Sequence, residues 1–198
     1  ILKLIPLVLA IILSGCVSHT IVVHPMPPEA TSMDGAIIAA IGDYVRYGNL
    51  DRWPGISGYD SNPIFTTMSA GPITEETLIN ALYWAEKTLS VRVSPKMTEE
   101  MKSRNASRVS LSAVIPRDPL FFNLYNVVVP WAEMDTYSKW DKHRYISPFL
   151  PVYFNQASNA LLAAWTGPSG GGTMALFTLR QQSNRWTVVK GEEISFFD

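Results

Sequence analysis

The chain has 198 residues, one cysteine, and 16 basic against 17 acidic side chains, for a net charge of −1. At 47% hydrophobic and 17% charged it is too apolar for a disordered chain, and it has no basic stripe of the kind nucleic acid requires. A single thiol rules out an intramolecular disulfide framework. In chain order, the first feature is the apolar run "ILKLIPLVLAIIL" over residues 1–13, whose one charge is Lys3. Its uninterrupted part, 4–13, is well short of the roughly 20 residues that span a bilayer and has the length of a secretory leader. Two small residues, Ser14 and Gly15, then lead to Cys16.

The stretch Leu13-Ser14-Gly15-Cys16 resembles the lipobox of bacterial lipoprotein precursors. That resemblance implies a signal peptide over 1–15 and a diacylglyceryl group on the Cys16 sulfur. Cleavage then falls before Cys16, and its new amine takes a further acyl chain such as palmitate. Several chains hold firmly, because each buried methylene adds about 0.8 kcal/mol. The same resemblance places the protein in the bacterial cell envelope. Val17 stands where many lipoproteins of Gram-negative bacteria carry an inner-membrane-retaining Asp, which implies the outer membrane and its periplasmic face. Without Lys3 the mature chain has 15 basic and 17 acidic residues, net −2. A chain of this size forms one domain and buries roughly 70% of its unfolded surface.

Residues 16–31 read as a lipidated tether, stiffened by Pro25, Pro27 and Pro28, with 21–23 able to dock as a short strand. His19 and His24 lie there without an acidic or thiol partner at metal-ligand spacing. The domain proper is expected over 32–198. A first helix is predicted over 33–47, with Ser32 or Asp34 as cap and Ile37, Ile38, Ile41, Tyr44 and Val45 on one face. A second helix follows Thr74, with Glu75 and Glu76 at its positive end and Leu78, Leu82, Ala85 and Leu89 inward. A third, short helix starts at Pro95 behind the cap Ser94, with Met97 and Met101 as core residues. Between the first two lies a long Gly/Pro-rich loop that carries Trp53, Tyr59 and Phe65. Exposed, these aromatics form a binding loop; the plainer alternative folds them onto the core.

The second half turns to β-structure. Partial alternation predicts a strand within 106–115, and "LYNVVVPWAEM" holds a β-branched run ended by Pro130. A short helix is predicted over 135–145, with Tyr137 and Trp140 inward. Strands over 160–165, 174–180 and 186–190 then form a meander, separated by a Gly-rich turn and by "QQSN". Residues 153–189 resemble the C-terminal meander of uncharacterised secreted bacterial proteins, through Phe154, Asn155, Gly167, Pro168, Gly170, Gly172, Trp186 and Val188. Many of those relatives flank the Gly-Pro with cysteines where this chain has Thr166 and Ser169, so the resemblance implies topology and no turn-stapling disulfide.

The same turn contains Gly167-Pro168-Ser169-Gly170-Gly171, a match to the G-x-S-x-G elbow. That elbow requires a helix after the serine and a histidine later in the chain; here a strand follows, and the last histidine is His143. No lysine precedes Thr173, so the stretch is not a phosphate loop either. Ser169 is therefore expected as a turn residue. His143 sits beside Asp141 and Arg144 in a charged segment, and the adjacent Glu192 and Glu193 point to opposite faces of any strand. Neither forms a catalytic pair.

The expectation is an α+β fold, N-terminal helices packed on an antiparallel sheet with a C-terminal β-meander. A cystatin-like or nuclear-transport-factor-like helix on a curved sheet is the alternative picture. The expected role is a non-enzymatic envelope lipoprotein, without cofactor, metal or nucleic acid. It sits on the membrane through Cys16 and binds an envelope protein or small molecule. A periplasmic inhibitor or immunity protein is the second reading, and a hydrolase using Ser169 or His143 the third. Only the sulfur of Cys16 can take the diacylglyceryl group. Metabolic labelling with a fatty acid should therefore mark the wild type and leave Cys16→Ser unmarked; equal label on both would remove the anchor.

Overall fold

The computed structural model describes residues 23–24, 29–47, 63–66, 68–115, 144–167 and 173–195. The elements in order are β1 (Val23–His24), α1 (Ser32–Tyr47), β2 (Pro63–Phe65), α2 (Glu75–Leu89), α3 (Pro95–Arg104), β3 (Arg144–Pro148), β4 (Val152–Phe154), β5 (Asn159–Gly167), β6 (Thr173–Gln182) and β7 (Arg185–Ser195). The fold is α+β, as expected.

The helices start where local chemistry fixes them. Thr74 caps α2, its side chain accepting from the Thr77 amide, and Ser94 caps α3 by accepting from Met97. Each such cap contributes about 1 kcal/mol. At α1 the cap is Thr31, not Ser32 or Asp34. Thr31 Oγ1 accepts from the Asp34 amide at 3.3 Å, and Asp34 Oδ2 accepts from the Thr31 amide at 2.7 Å. This reciprocal pair is a capping box with Asp in place of Glu.

The meander is β5-β6-β7, antiparallel throughout. Ser183 and Asn184, with φ of 48° and 65°, form the two-residue β6–β7 turn. Positive φ at both central positions matches strand twist and is tolerated best by residues such as Asn. A bulge at Val189 shifts the register between Thr178 and Leu179. The other edge of β5 pairs with β4 over Asn159–Leu161 and with β3 over Ala164–Gly167. Between them, three residues, Phe149 to Pro151, stand opposite two, Leu162 and Ala163. β3 and β4 are thus one strand broken by a bulge. β1 pairs antiparallel with β4, and β2 runs parallel to β3, which makes the sheet mixed at that edge.

Alternate residues of the meander feed two cores. On one face Ala160, Leu162, Ala175 and Phe177 pack under α1, through Ile37, Ile38, Ile41 and Val45. On the other Leu161, Ala163, Met174 and Leu176 pack under α2 and α3, through Leu82, Ala85, Met97 and Met101. The helices therefore cover both faces. This departs from the picture of a helix on one side of a curved sheet.

Several expectations change. The alternation over 106–115 produces only a single bridge, Ser110 to Met68. The chain then turns, with the Ile115 amide bonding Leu111 O, so Leu111 is buried and Ala113 exposed. Phe65 is a strand residue of β2, 2% exposed in the core under α1, and is no binding-loop residue. Val23–His24 pairs with β4 as a two-residue strand, overlapping at Val23 the short strand expected over 21–23 of the tether. Arg144 and Tyr145 open β3 rather than ending a helix; the rest of that predicted helix, and the run 124–134, lie outside the described residues.

Gly35 lies in the first turn of α1 against the backbone of Val114, and a Cβ there would meet Val114 O at 1.9 Å. Alanine normally improves a helix by about 1 kcal/mol over glycine. Here the overlap should dominate, and Gly35→Ala should destabilise by about 1–3 kcal/mol. Denaturant unfolding checks this; an unchanged or raised midpoint would mean that Val114 moves aside freely.

Candidate functional site

The bulge between β3 and β4 leaves backbone groups without ladder partners, and the end of α3 supplies them. Asn105 Oδ1 accepts from the Leu150 amide at 2.7 Å, and Asn105 Nδ2 donates to Leu150 O at 3.0 Å and to Met101 O at 2.9 Å. Arg104 Nη1 donates to Pro151 O. Asn105 begins the sequence Asn-Ala-Ser, but it is buried and both side-chain polar atoms are bonded within the fold.

Arg104 then reaches past the bulge to α1. Its Nη1 and Nη2 meet the two oxygens of Asp34 at 3.2 and 3.0 Å, a bidentate pair with neither side chain exposed. Tyr153 Oη donates to Asp34 Oδ1 at 2.7 Å, and Thr31 supplies its amide and hydroxyl to Oδ2. The guanidinium stands 5.6 Å from the centre of the Tyr153 ring, which itself lies edge-on to Trp186. Burial, and secondarily the Asp34 carboxylate, push the Tyr153 hydroxyl above its ordinary pKa of 10.0. Strongly shifted groups often mark active sites. Asp34, Arg104 and Tyr153 are all inaccessible, however, so this cluster ties layers together and meets no substrate.

Among the described residues an accessible groove of about 490 Å³ lies between α1 and β7. Trp186 forms its floor, Tyr44, Ala40 and Val188 its apolar wall, and Asp43 and Arg185 its rim. The volume falls in the range of small-molecule sites. Tyr44 stands edge-on to Phe177, with centroids 6.3 Å apart. It can do so because position 191 is glycine: a Cβ there would stand 3.0 Å from the rings of both Tyr44 and Phe177. Arg185 Nη2 and Asp43 Oδ2 lie 3.9 Å apart, both well exposed, so their attraction is weak.

Of the residues singled out in the sequence, Phe65 is in the core, while Cys16, Trp53, Tyr59, His143 and Ser169 lie outside the described residues. Among the described residues no group of three His, Cys, Asp or Glu is placed to hold a metal ion, and no helix is long and apolar enough to cross a membrane. Glu192 and Glu193 diverge: Glu192 pairs with Lys190 at 3.2 Å, and Glu193 accepts from Thr166 Oγ1 at 3.0 Å. The sequence reading missed the groove, whose walls are about 140 residues apart in the chain. It also missed the Asp34–Arg104 pair, for which the sequence offers only half a signal, Thr31-x-x-Asp34 as a capping box. Among the described residues, fold and site define an α+β domain with helices on both sheet faces, a sealed polar cluster and an open aromatic groove. No protein-family model, curated protein or solved structure matches the chain.

Removing the guanidinium strands a buried carboxylate, so Arg104→Ala should cost about 3–5 kcal/mol. Paired replacement of Asp34 and Arg104 by apolar residues should cost clearly less. The raised Tyr153 pKa sets an alkaline limit. Above the unfolded value of 10.0 the unfolded chain releases a proton that the folded chain retains, so stability is level below that pH and falls above it. The slope approaches about 1.4 kcal/mol per pH unit for one group. Tyr153→Phe should lower stability at neutral pH and flatten this alkaline slope. Urea midpoints between pH 7 and 11 report both; an unaltered slope in Tyr153→Phe would assign the alkaline loss to other groups.

Proposed function

We propose that the protein is an envelope lipoprotein, anchored through Cys16, that binds a ligand in the α1/β7 groove rather than transforming it. The observation that carries this reading is the groove itself: an aromatic floor, an apolar wall, and opposite charges at the rim in Asp43 and Arg185. Such a lining suits a small zwitterion or a short peptide with an apolar side chain. Each charged rim group has its complement on the ligand, and the aromatic rings cover the rest. The lipobox-like stretch ending in Cys16 supports the anchor and the envelope location. The shifted titratable group Tyr153 is sealed away from the groove's opening, which favours binding over proton transfer there.

Thermal unfolding against a panel of dipeptides and free amino acids tests this. A ligand at a hundred times its Kd adds about 2.7 kcal/mol of stability. The gain should vanish in Tyr44→Ala and weaken in Arg185→Ala. A gain that survives both changes would move the site elsewhere. A fluorophosphonate probe that labels the wild type and not Ser169→Ala would replace this reading with a hydrolase.

A further inference from the structure

Consecutive residues of β7, from Arg185 to Val188, line the groove. Successive side chains of a strand point to opposite faces, so a groove confined to one face would meet only every second residue. This one therefore extends to the backbone edge of the strand. Trp186 and Val188 belong to the core face under α1. Arg185 starts from the other face, and its guanidinium reaches back to Asp43 of α1.

The two groove-facing residues also turn their backbone outward. The β6–β7 turn has two central residues, so the closing pair, Gln182 and Arg185, exchanges ladder bonds, and pairs with and without them alternate from there. Gln181–Trp186 is a pair without, and the Gln181 amide accordingly donates away from β7, to Ser158 O at 2.8 Å. The amide and carbonyl of Trp186, and by the same alternation those of Val188, point away from β6. Among the described strands none pairs with β7 on that side. Two N–H and two C=O groups at strand spacing, beside an apolar groove, have the backbone of an extended peptide as their complement. Trp186 and Val188 lie about 7 Å apart along the strand, beyond the backbone of a single amino acid.

We propose that the ligand of the groove is a short extended peptide that adds to the outer edge of β7, bonding through its backbone to Trp186 and Val188 and laying an apolar side chain on the Trp186 floor. The proposal rests on the α1/β7 groove as the binding site. The bulge at Val189 breaks the repeat of the ladder, so the peptide pairs over about three residues. One of its charged ends arrives at the hairpin end of β7, where Arg185 and Asp43 offer both signs. The ion that a long incoming strand would have to desolvate is there met by the terminus of a short one.

The test uses the full chain, isotope-labelled for NMR, and the tripeptide Leu-Ala-Leu. At saturating tripeptide, amide exchange should slow at least tenfold at Trp186 and Val188, and less at Arg185 and Thr187, whose amides already face β6. The tripeptide should bind at least tenfold more tightly than free leucine. N-methylation at one of its two amides should weaken binding at least tenfold and at the other less than threefold, because alternate amides of an added strand point away from the edge. Binding that Tyr44→Ala abolishes but that leaves both β7 amides unprotected, or that tolerates methylation at either amide, keeps the groove and removes the strand addition. No binding, or binding that survives Tyr44→Ala, removes the groove as the site and the proposal with it. Trp186 and Val188 amides already protected without ligand, and released on dilution, would give the edge to a second copy of the chain instead.

Discussion

Among the described residues, a buried ion pair between Asp34 and Arg104 holds the two sides of the molecule in register. Asp34 belongs to the helix on one face of the sheet, and Arg104 ends a helix packed on the other. Charges withdrawn from water in this way are costly unless every donor and acceptor is matched. Here the matching is dense: the Asp34 carboxylate takes bonds from Arg104, Tyr153 and Thr31. Each of those partners comes from a different part of the fold. The cluster therefore discriminates among arrangements more than it adds net stability, since a helix displaced by one turn would leave an isolated charge in the core.

The same residues explain why a broken strand is tolerated in the middle of the sheet. Pro148 and Pro151 flank the β3–β4 bulge, and neither has an amide proton to give to a ladder. The carbonyl of Pro151 and both polar backbone groups of Leu150 are taken up by Arg104 and Asn105. A defect in β-pairing and the C-terminal end of a helix thus complete one another. Gly35, which lets α1 approach Val114, belongs to the same corner through its neighbour Asp34.

Much of the fold was legible where a local rule decides it. Thr74 and Ser94 announce the starts of α2 and α3, and Ser183–Asn184 announces the last hairpin. β3 and β4 were not legible, because two prolines argue against a strand unless a distant side chain repairs the ladder. The alternation around Val109 and Leu111 misled for a related reason: one residue pairs, and the chain then turns. Helices on opposite faces follow from which side each connection crosses, which no periodicity encodes. The groove was hidden because Tyr44 and Trp186 meet only through tertiary packing. Its one readable trace is Gly191, a glycine inside a strand, which marks a close approach without naming the neighbour.

The bulge at Val189 has a bearing on solubility. β7 is eleven residues long, and among the described strands it pairs on one side only, with β6. A straight strand of that length is a template on which another chain can add hydrogen bond by hydrogen bond. The extra residue at Val189 interrupts the repeat midway, and Arg185, Lys190, Glu192 and Glu193 place charge along the remainder. An incoming strand would find two short registers out of phase with each other and would have to desolvate ions to use either. Among the described strands, the irregularity limits what can add to the sheet beyond β7.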